Sequence, residues 1–275
     1  MLRALIIALA FAVPAQAAPA RIVSLNPCLD AVLVEVAERS QIAAVSHYAR
    51  DPYASSIAEV AATLPITYET AEEVIVLAPD LVMTSRHSAL ATRNALRRLG
   101  IQIELFDVPD TVEASVAQIR RIAGLTGHPE KGDALVARIE AAMAAAKPAE
   151  GTPLIPAALM EPNGFTVGAN TLTDELFRRT GFENVAARYG VGKSGNISLE
   201  RFIADPPRVL FAGEPDPMMP GWAERVVRHR AMRQVSKQIT RADFPQRLMY
   251  CGGAVIAESA DILARTRAKI LGSQP

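Results

Sequence analysis

Glu72-Glu73-Val74-Ile75-Val76-Leu77-Ala78-Pro79-Asp80-Leu81-Val82-Met83-Thr84-Ser85-Arg86-His87 is matched later in the chain by Glu200-Arg201-Phe202-Ile203-Ala204-Asp205-Pro206-Pro207-Arg208-Val209-Leu210-Phe211-Ala212-Gly213-Glu214-Pro215. Each stretch reads as a short helix opened by a glutamate, a proline stop, a buried apolar strand and a polar loop. Proline ends a helix because it has no N–H to donate and crowds the preceding turn. The interval from Glu72 to Pro79 equals that from Glu200 to Pro207, which predicts two similarly built α/β lobes. Loops that follow parallel strands line a crevice, so two such lobes predict something held between them.

The alternation extends outward from both stretches. Arg21-Ile22-Val23-Ser24-Leu25 reads as a strand ending at the turn Asn26-Pro27. Residues 30–38 follow as a helix through Val32, Leu33 and Val36, then 41–45 as a strand and 46–52 as a polar loop. A further unit runs from Ser88 through a strand at 101–106. Strands alternating with helices place the chain in the α/β class with parallel sheets. Residues 111–147 carry no strand pattern and predict two helices broken between Gly124 and Pro129. The second is rich in alanine, the best helix former, and reads as a rigid connector. The later lobe offers a strand at 157–160, a helix at 172–179 closed by Gly181, a strand at 208–212, a last strand at Arg247-Leu248-Met249-Tyr250 and a final helix at 255–271. The expected division is a leader at 1–17, an N-terminal lobe at 18–127, a connecting helix at 128–150 and a C-terminal lobe at 151–275.

The 275 residues are half apolar, ample for one large or two small domains. Basic and acidic residues number 29 each, which argues against nucleic acid as a partner. Arg3, the apolar run from Ala4 to Val13 and Ala15-Gln16-Ala17 have the form of a cleavable secretory leader. That run is too short to span a bilayer, and no cysteine follows the cleavage site to take a lipid. The expectation is an exported, soluble, monomeric periplasmic protein.

Four segments together resemble the periplasmic substrate-binding proteins of ABC importers, in the rigid-helix group that carries cobalamin, ferric siderophores and haem. They are RIVSLNP at 21–27, EEVIVLAPDLV at 72–82, LTDELFRRTGFENVA at 172–186 and SLERFIADPPRVLF at 198–211. The resemblance implies two α/β lobes joined by one long helix, little hinge motion and a ligand in the cleft. It also implies that one surface glutamate per lobe docks on the importer permease. Glu72 and Glu200 match those positions by their spacing to the strand-leading proline; a glutamate also suits a helix N-terminus through the backbone dipole. The implied cargo is a bulky iron chelate or corrinoid. Siderophore binders of the group line the cleft with arginines and cobalamin binders with aromatics. Here the candidate loops carry a mixture: Tyr48, Tyr68, Arg86 and His87 from one lobe, Phe165, Arg188, Tyr189 and Trp222 from the other.

Other motifs compete with this reading. Gly190-Val191-Gly192-Lys193-Ser194-Gly195 has the spacing of a dinucleotide-binding turn, yet no buried apolar strand precedes it, as that turn requires. It reads as a cleft or surface loop. A secreted two-lobed α/β enzyme, or a haem- or metal-binding protein, is the alternative function; no G-x-S-x-G or H-E-x-x-H supports an enzyme, and no resident cofactor is expected. His47 and His87 follow first-lobe strands, and a lone histidine there is more often a hydrogen-bonding residue than a metal ligand; His128 and His229 read as solvated. Cys28 follows the first strand and Cys251 the last. In an oxidising compartment they form a disulfide stapling the lobes; two free thiols, or a metal–thiolate site, are the other readings.

Overall fold

The structure, a computed structural model, describes residues 18–161, 164–213, 235 and 237–272. Its first lobe is a five-stranded parallel sheet in the order β3-β2-β1-β4-β5, made of β1 (Ile22–Ser24), β2 (Ile42–Ser46), β3 (Ile66–Thr67), β4 (Leu81–Ser85) and β5 (Gln102–Phe106). Its helices are α1 (Pro27–Val36), α2 (Ala58–Ala61), α3 (Ala71–Val76) and α4 (Leu90–Arg98). The second lobe has a four-stranded parallel sheet, β11-β10-β6-β8, from β6 (Ile155–Met160), β8 (Phe182–Asn184), β10 (Val209–Ala212) and β11 (Thr240–Asp243). An antiparallel pair, β7 (Phe165–Val167) with β9 (Ser194–Asn196), flanks it. Helices α5 (Val112–Thr126) and α6 (Pro129–Ala146) lie between the sheets, and α7 (Leu172–Thr180), α8 (Leu199–Ala204) and α9 (Val255–Gly272) complete the chain.

Local chemistry sets the helix ends. The expected turn at Asn26-Pro27 is the start of α1: Asn26 Oδ1 accepts from Cys28 N and Leu29 N, and Pro27, which has no N–H to satisfy, is the first helical residue. Gly127 and Gly181 end α5 and α7 in the left-handed conformation that costs glycine nothing. The strand expected at 247–250 is instead a single 3-10 turn, Gln246–Leu248, leading into the loop that carries Tyr250 and Cys251. The true last strand is β11, whose Thr-Arg-Ala-Asp side chains are mostly exposed. A strand with that surface has no apolar alternation to read.

One apolar cluster runs through both lobes. It joins Ile22, Leu33, Met83 and Phe106 of the first to Leu159, Phe177, Phe211 and Leu263 of the second, by way of Ile119, Ile122, Leu135 and Ile139 on α5 and α6. At the heart of the second lobe the Phe211 ring meets Phe177 at 5.3 Å and Phe182 at 5.2 Å between centroids, the range of attractive ring pairs. Helix α6 packs on α1 and α5 on one side and on α7 and α9 on the other. Smaller clusters cover the outer sheet faces, around Val23, Val82 and Leu96 and around Met160, Tyr189 and Phe202.

Cys28 and Cys251 form a disulfide across 223 residues, with Cα atoms 5.1 Å apart. Beside it, Gly253 N donates to Ser115 Oγ at 2.8 Å. A Cβ on Gly252 would stand 2.6 Å from that same oxygen and 3.2 Å from Pro109 Cγ, so the second lobe's loop lies flush on α5. Asp30, in the first turn of α1, is fully buried; its Oδ2 accepts from Ser46 N at 3.1 Å and Ser46 Oγ at 2.5 Å. Burial pushes its carboxyl up to about 7 against the pull of those hydrogen bonds.

Two outcomes are expected. Cys28→Ser with Cys251→Ser lowers unfolding free energy by up to about 5 kcal/mol, since closing so long a loop removes much denatured-state entropy; denaturant titration without reductant measures it. The Asp30 effect has the opposite sign to an ordinary salt-bridged carboxylate. Its folded-state pKa is raised from 3.8 to about 7, so its cost is full above that value and fades as pH falls towards 3.8. Stability therefore rises as pH drops from about 8 to about 5.5, and Asp30→Asn removes a large part of the rise, read from melting temperature against pH.

Candidate ligand cleft

In an open α/β sheet the ligand crevice lies at the carboxyl ends of the strands, where the strand order reverses. In the first lobe that point is between β1 and β4, and in the second between β6 and β10. The carboxyl ends of these four strands lead to Asn26, Arg86 and His87, Glu161, and Gly213. A cavity of about 360 Å³ opens between the lobes there, with Cys28, Tyr250, Cys251 and Gly252 on one side. Phe106 to Asp110 form its first-lobe wall, and Leu172, Lys193 and Ser194 close the opposite side. The disulfide is thus part of the cavity surface, and both sulfurs are committed to each other. Among the described residues, no group of three or more His, Cys, Asp or Glu is placed to hold a metal ion.

The charges of the cleft neutralise one another. Arg86 Nε is 2.7 Å from Asp107 Oδ1, and Lys193 Nζ, just before β9, reaches Asp110 Oδ2 of the first lobe at 2.7 Å. Both pairs are solvent-exposed, so each is worth at most about 1 kcal/mol. Lys193 therefore bridges to the other lobe rather than lying on a plain surface loop. Glu161, at the end of β6, accepts from Tyr250 Oη at 3.2 Å, and Gln246 Nε2 donates to Tyr250 Oη at 2.6 Å. Burial raises the Glu161 carboxyl; burial first, then the Glu161 charge, pushes the Tyr250 phenol up to about 12.

Next to the cavity the first lobe presents an aromatic platform. A 3-10 turn, His47–Arg50, follows β2, and Tyr68 follows β3. The His47 ring lies between Tyr48, with centroids 3.9 Å apart, and Tyr68, at 4.7 Å. Tyr48 is 52% and Tyr68 64% exposed, an unusual display for large rings unless something covers them. Asp51, ending the same turn, is close enough to act on the Tyr250 phenol, which ties the platform to the second lobe.

The sequence-derived ligand set divides. His87 lines the cavity, Arg86 reaches it through Asp107, and Tyr48 and Tyr68 form the platform. Phe165 shares a strand face with Val167, which lines the cavity, because alternate residues of a strand point the same way. Arg188 and Tyr189 are placed elsewhere. Arg188 is spent on Glu183 and Asp205, and Tyr189 is 4% exposed, packed on Phe202 with its hydroxyl donating to Asp205 O at 2.7 Å. The 3-10 turn after β8 turns Tyr189 inward onto the outer face of the second sheet and leaves Arg188 exposed beside its carboxylates. Trp222 and His229 lie outside the described residues, and His128, expected in solvent, is partly buried against Gln41 Oε1 at 3.1 Å. The sequence reading missed Glu161, Asp107, Asp110 and Tyr250. Tyr250 was assigned to a strand, although the Gly252-Gly253 pair just beyond it marks a turn.

Glu72 and Glu200 occupy equivalent places. Each is the second residue of its helix, after Thr70 or Ser198, whose hydroxyl caps the helix by accepting from the N–H three residues on. Both are exposed, and Val76 beside Glu72 is 85% exposed.

Comparison with known proteins fits this geometry. A periplasmic binding protein family profile matches residues 22–236. A protein of Halobacterium salinarum named cobalamin-binding protein, found in two strains, is 27% identical over 207 residues, 74% of this chain. The chain spans 56% of that relative's length. Among solved structures, the fold is similar to the periplasmic heme-binding protein RhuT from Roseiflexus sp. RS-1 in apo form, at 23% identity and TM-score 0.71 over 90% of this chain and 96% of that one. It is also similar to the periplasmic vitamin B12 binding protein BtuF of Vibrio cholerae, at 19% identity and TM-score 0.69 over 93% and 99%. Two parallel sheets facing across a cleft, with a profile match over most of the sequence, make the chain a member of the periplasmic binding protein family.

Proposed function

We propose that this protein is an exported receptor that captures a corrinoid in the interlobe cleft and hands it to the permease of an ABC importer. The observation that carries the choice of cargo is the pairing of the cleft's cations among the described residues. Arg86 and Lys193 are already matched by Asp107 and Asp110. Anionic ferric siderophores and haem carboxylates call for cations held free for them, since a carboxylate is recognised by an unspent guanidinium or ammonium. An amide-rimmed macrocycle asks instead for flat aromatic faces and a few mixed donors and acceptors, and Tyr48, Tyr68, Tyr250 and Glu161 supply these. The cavity alone is smaller than such a ligand, so the ligand lies partly over the platform. The relative from Halobacterium salinarum named as cobalamin-binding supports the same cargo.

Glu72 and Glu200 are the docking pair in this reading, one from each lobe, and they meet basic residues of the permease. The leader at residues 1–17 directs export, and cleavage leaves Ala18 as the first residue of a monomeric periplasmic protein.

Titration of the mature protein with cyanocobalamin, hemin and a ferric hydroxamate tests the cargo. Cyanocobalamin is expected to bind tightest, and Tyr48→Ala with Tyr68→Ala to weaken it at least about tenfold, as losing two exposed aromatic anchors does. Preference for hemin would reject the corrinoid assignment. Glu72→Arg with Glu200→Arg is expected to abolish uptake by cells while leaving affinity in solution unchanged, because rim charges govern encounter and orientation. N-terminal sequencing of exported protein reads the cleavage point.

A further inference from the structure

Beneath the aromatic platform lie three polar atoms that nothing satisfies. His47 Nδ1, Glu69 Oε1 and Asp30 Oδ1 are each shielded from solvent and without a hydrogen-bond partner. Nearly all buried polar atoms are paired, so orphans in one place need a physical reason. His47 Nδ1 and Glu69 Oε1 are 4.0 Å apart, about 1 Å beyond hydrogen-bonding reach. Glu69 also holds a left-handed backbone, φ 69°, which costs a residue with a side chain. The surroundings impose it: Glu69 N donates to Thr67 Oγ1 at 3.0 Å, and Thr92 Oγ1 donates to Glu69 O at 3.4 Å. The strained backbone holds the carboxylate 4.0 Å from Nδ1 of the ring that Tyr48 and Tyr68 flank.

The charged groups around this point come from five segments. The β3–α3 connection gives Glu69, and α1 gives Asp30, whose carboxyl feels the Glu69 charge. Glu73 of α3 is committed to Thr67 Oγ1 at 2.8 Å and Tyr68 N at 2.7 Å. Helix α4, which touches Glu69 through Thr92, carries Arg93, whose buried Nε has no hydrogen-bond partner. Arg50, on the His47 turn, is spent on Ala61 O and Leu64 O. The imidazole therefore has one carboxylate in reach, and that carboxylate has no other hydrogen-bond donor on Oε1. A protonated ring would donate a charge-assisted hydrogen bond to Glu69 and present a cation to two tyrosine faces. A neutral ring presents no cation to the tyrosines, and even with its one proton on Nδ1 it offers Glu69 a weaker hydrogen bond than the imidazolium does. Burial raises the Glu69 carboxyl, and the His47 charge opposes that rise.

We propose that His47 is a proton-operated positioning residue of the ligand platform: the protonated ring closes on Glu69 and clamps Tyr48 and Tyr68 in one stack, the neutral ring releases them, and ligand is held more tightly at mildly acidic than at alkaline pH. The consequence for ligand rests on the reading of the cleft as the binding site; the movement of the stack does not.

The mature protein with its disulfide intact is used for both measurements. In ligand-free protein, histidine and tyrosine ring resonances are followed by NMR from about pH 5 to about pH 8.5, the range in which histidines change charge. Tyr48 and Tyr68 are expected to shift in step with the His47 ring and to stop doing so in Glu69→Gln. Cyanocobalamin affinity is expected to be about tenfold tighter at the acid end, and to change less than about twofold in Glu69→Gln and in His47→Gln. Asp30→Asn keeps the slope, which separates this device from the titration of Asp30 itself. Tyrosine resonances that ignore the His47 titration, an affinity slope that survives Glu69→Gln, or one that disappears in Asp30→Asn overturns the proposal. Absence of cyanocobalamin binding at every pH refutes the corrinoid reading instead, and the NMR titration alone then decides the stack.

Discussion

The apolar seam between the two lobes is the constraint on which the rest depends. Ile119, Ile122, Leu135 and Ile139 belong at once to the first lobe's core and to the second's. Opening the cleft widely would expose that surface, at about 25 cal/mol for each Å². The Cys28–Cys251 bridge and the close fit of Gly252 on Ser115 and Pro109 fix the same seam at the cavity. A large hydrophobic interface between lobes suppresses the relative motion that is otherwise the default for two domains. A ligand entering this cleft would therefore meet nearly preformed walls, and recognition would come from loops and side chains rather than from closure of the lobes.

Those loops sit where the topology puts them. Both sheets change strand order at their middle, and both changes face the same cavity. The polar groups gathered there are matched in advance: Arg86 with Asp107, Lys193 with Asp110, Tyr250 with Glu161. Lys193 to Asp110 crosses the cleft, so a ligand entering on that side competes with a weak lobe-to-lobe contact. The unmatched atoms lie lower, under Tyr48 and Tyr68, where burial makes an unpaired carboxylate expensive and a proton a cheap way to relieve it.

The helix starts show the same economy at the outer rim. A hydroxyl cap, Thr70 or Ser198, satisfies a free N–H and leaves the next-but-one glutamate exposed. The dipole of the helix end favours that charge, so an exposed glutamate there costs the fold nothing.

The α/β class, the two lobes and most element positions were legible in the sequence, because they rest on local signals. Apolar runs bounded by proline and glycine mark strands and helices, and a threonine, serine or asparagine marks a cap. The disulfide was the favoured of three readings, since two cysteines admit one pairing; Cys28 does follow β1, but Cys251 follows a 3-10 turn and not the expected strand. Side-chain direction was not. Arg188 and Tyr189 stand in a loop after a strand, as Tyr48 does, yet the turn after β8 folds them against Asp205 and Phe202 while the turn after β2 leaves Tyr48 in the open. β11 and the β7–β9 pair escaped notice because short or exposed strands carry no periodic apolar signal. The contacts of Tyr250 with Glu161 and of His47 with Glu69 join residues far apart in sequence or bent by a strained backbone. Sequence alone determined which segments become helix and strand, since that depends on near neighbours; only the tertiary structure decided which polar groups meet, because pairing is set by the packing of distant elements around one shared core.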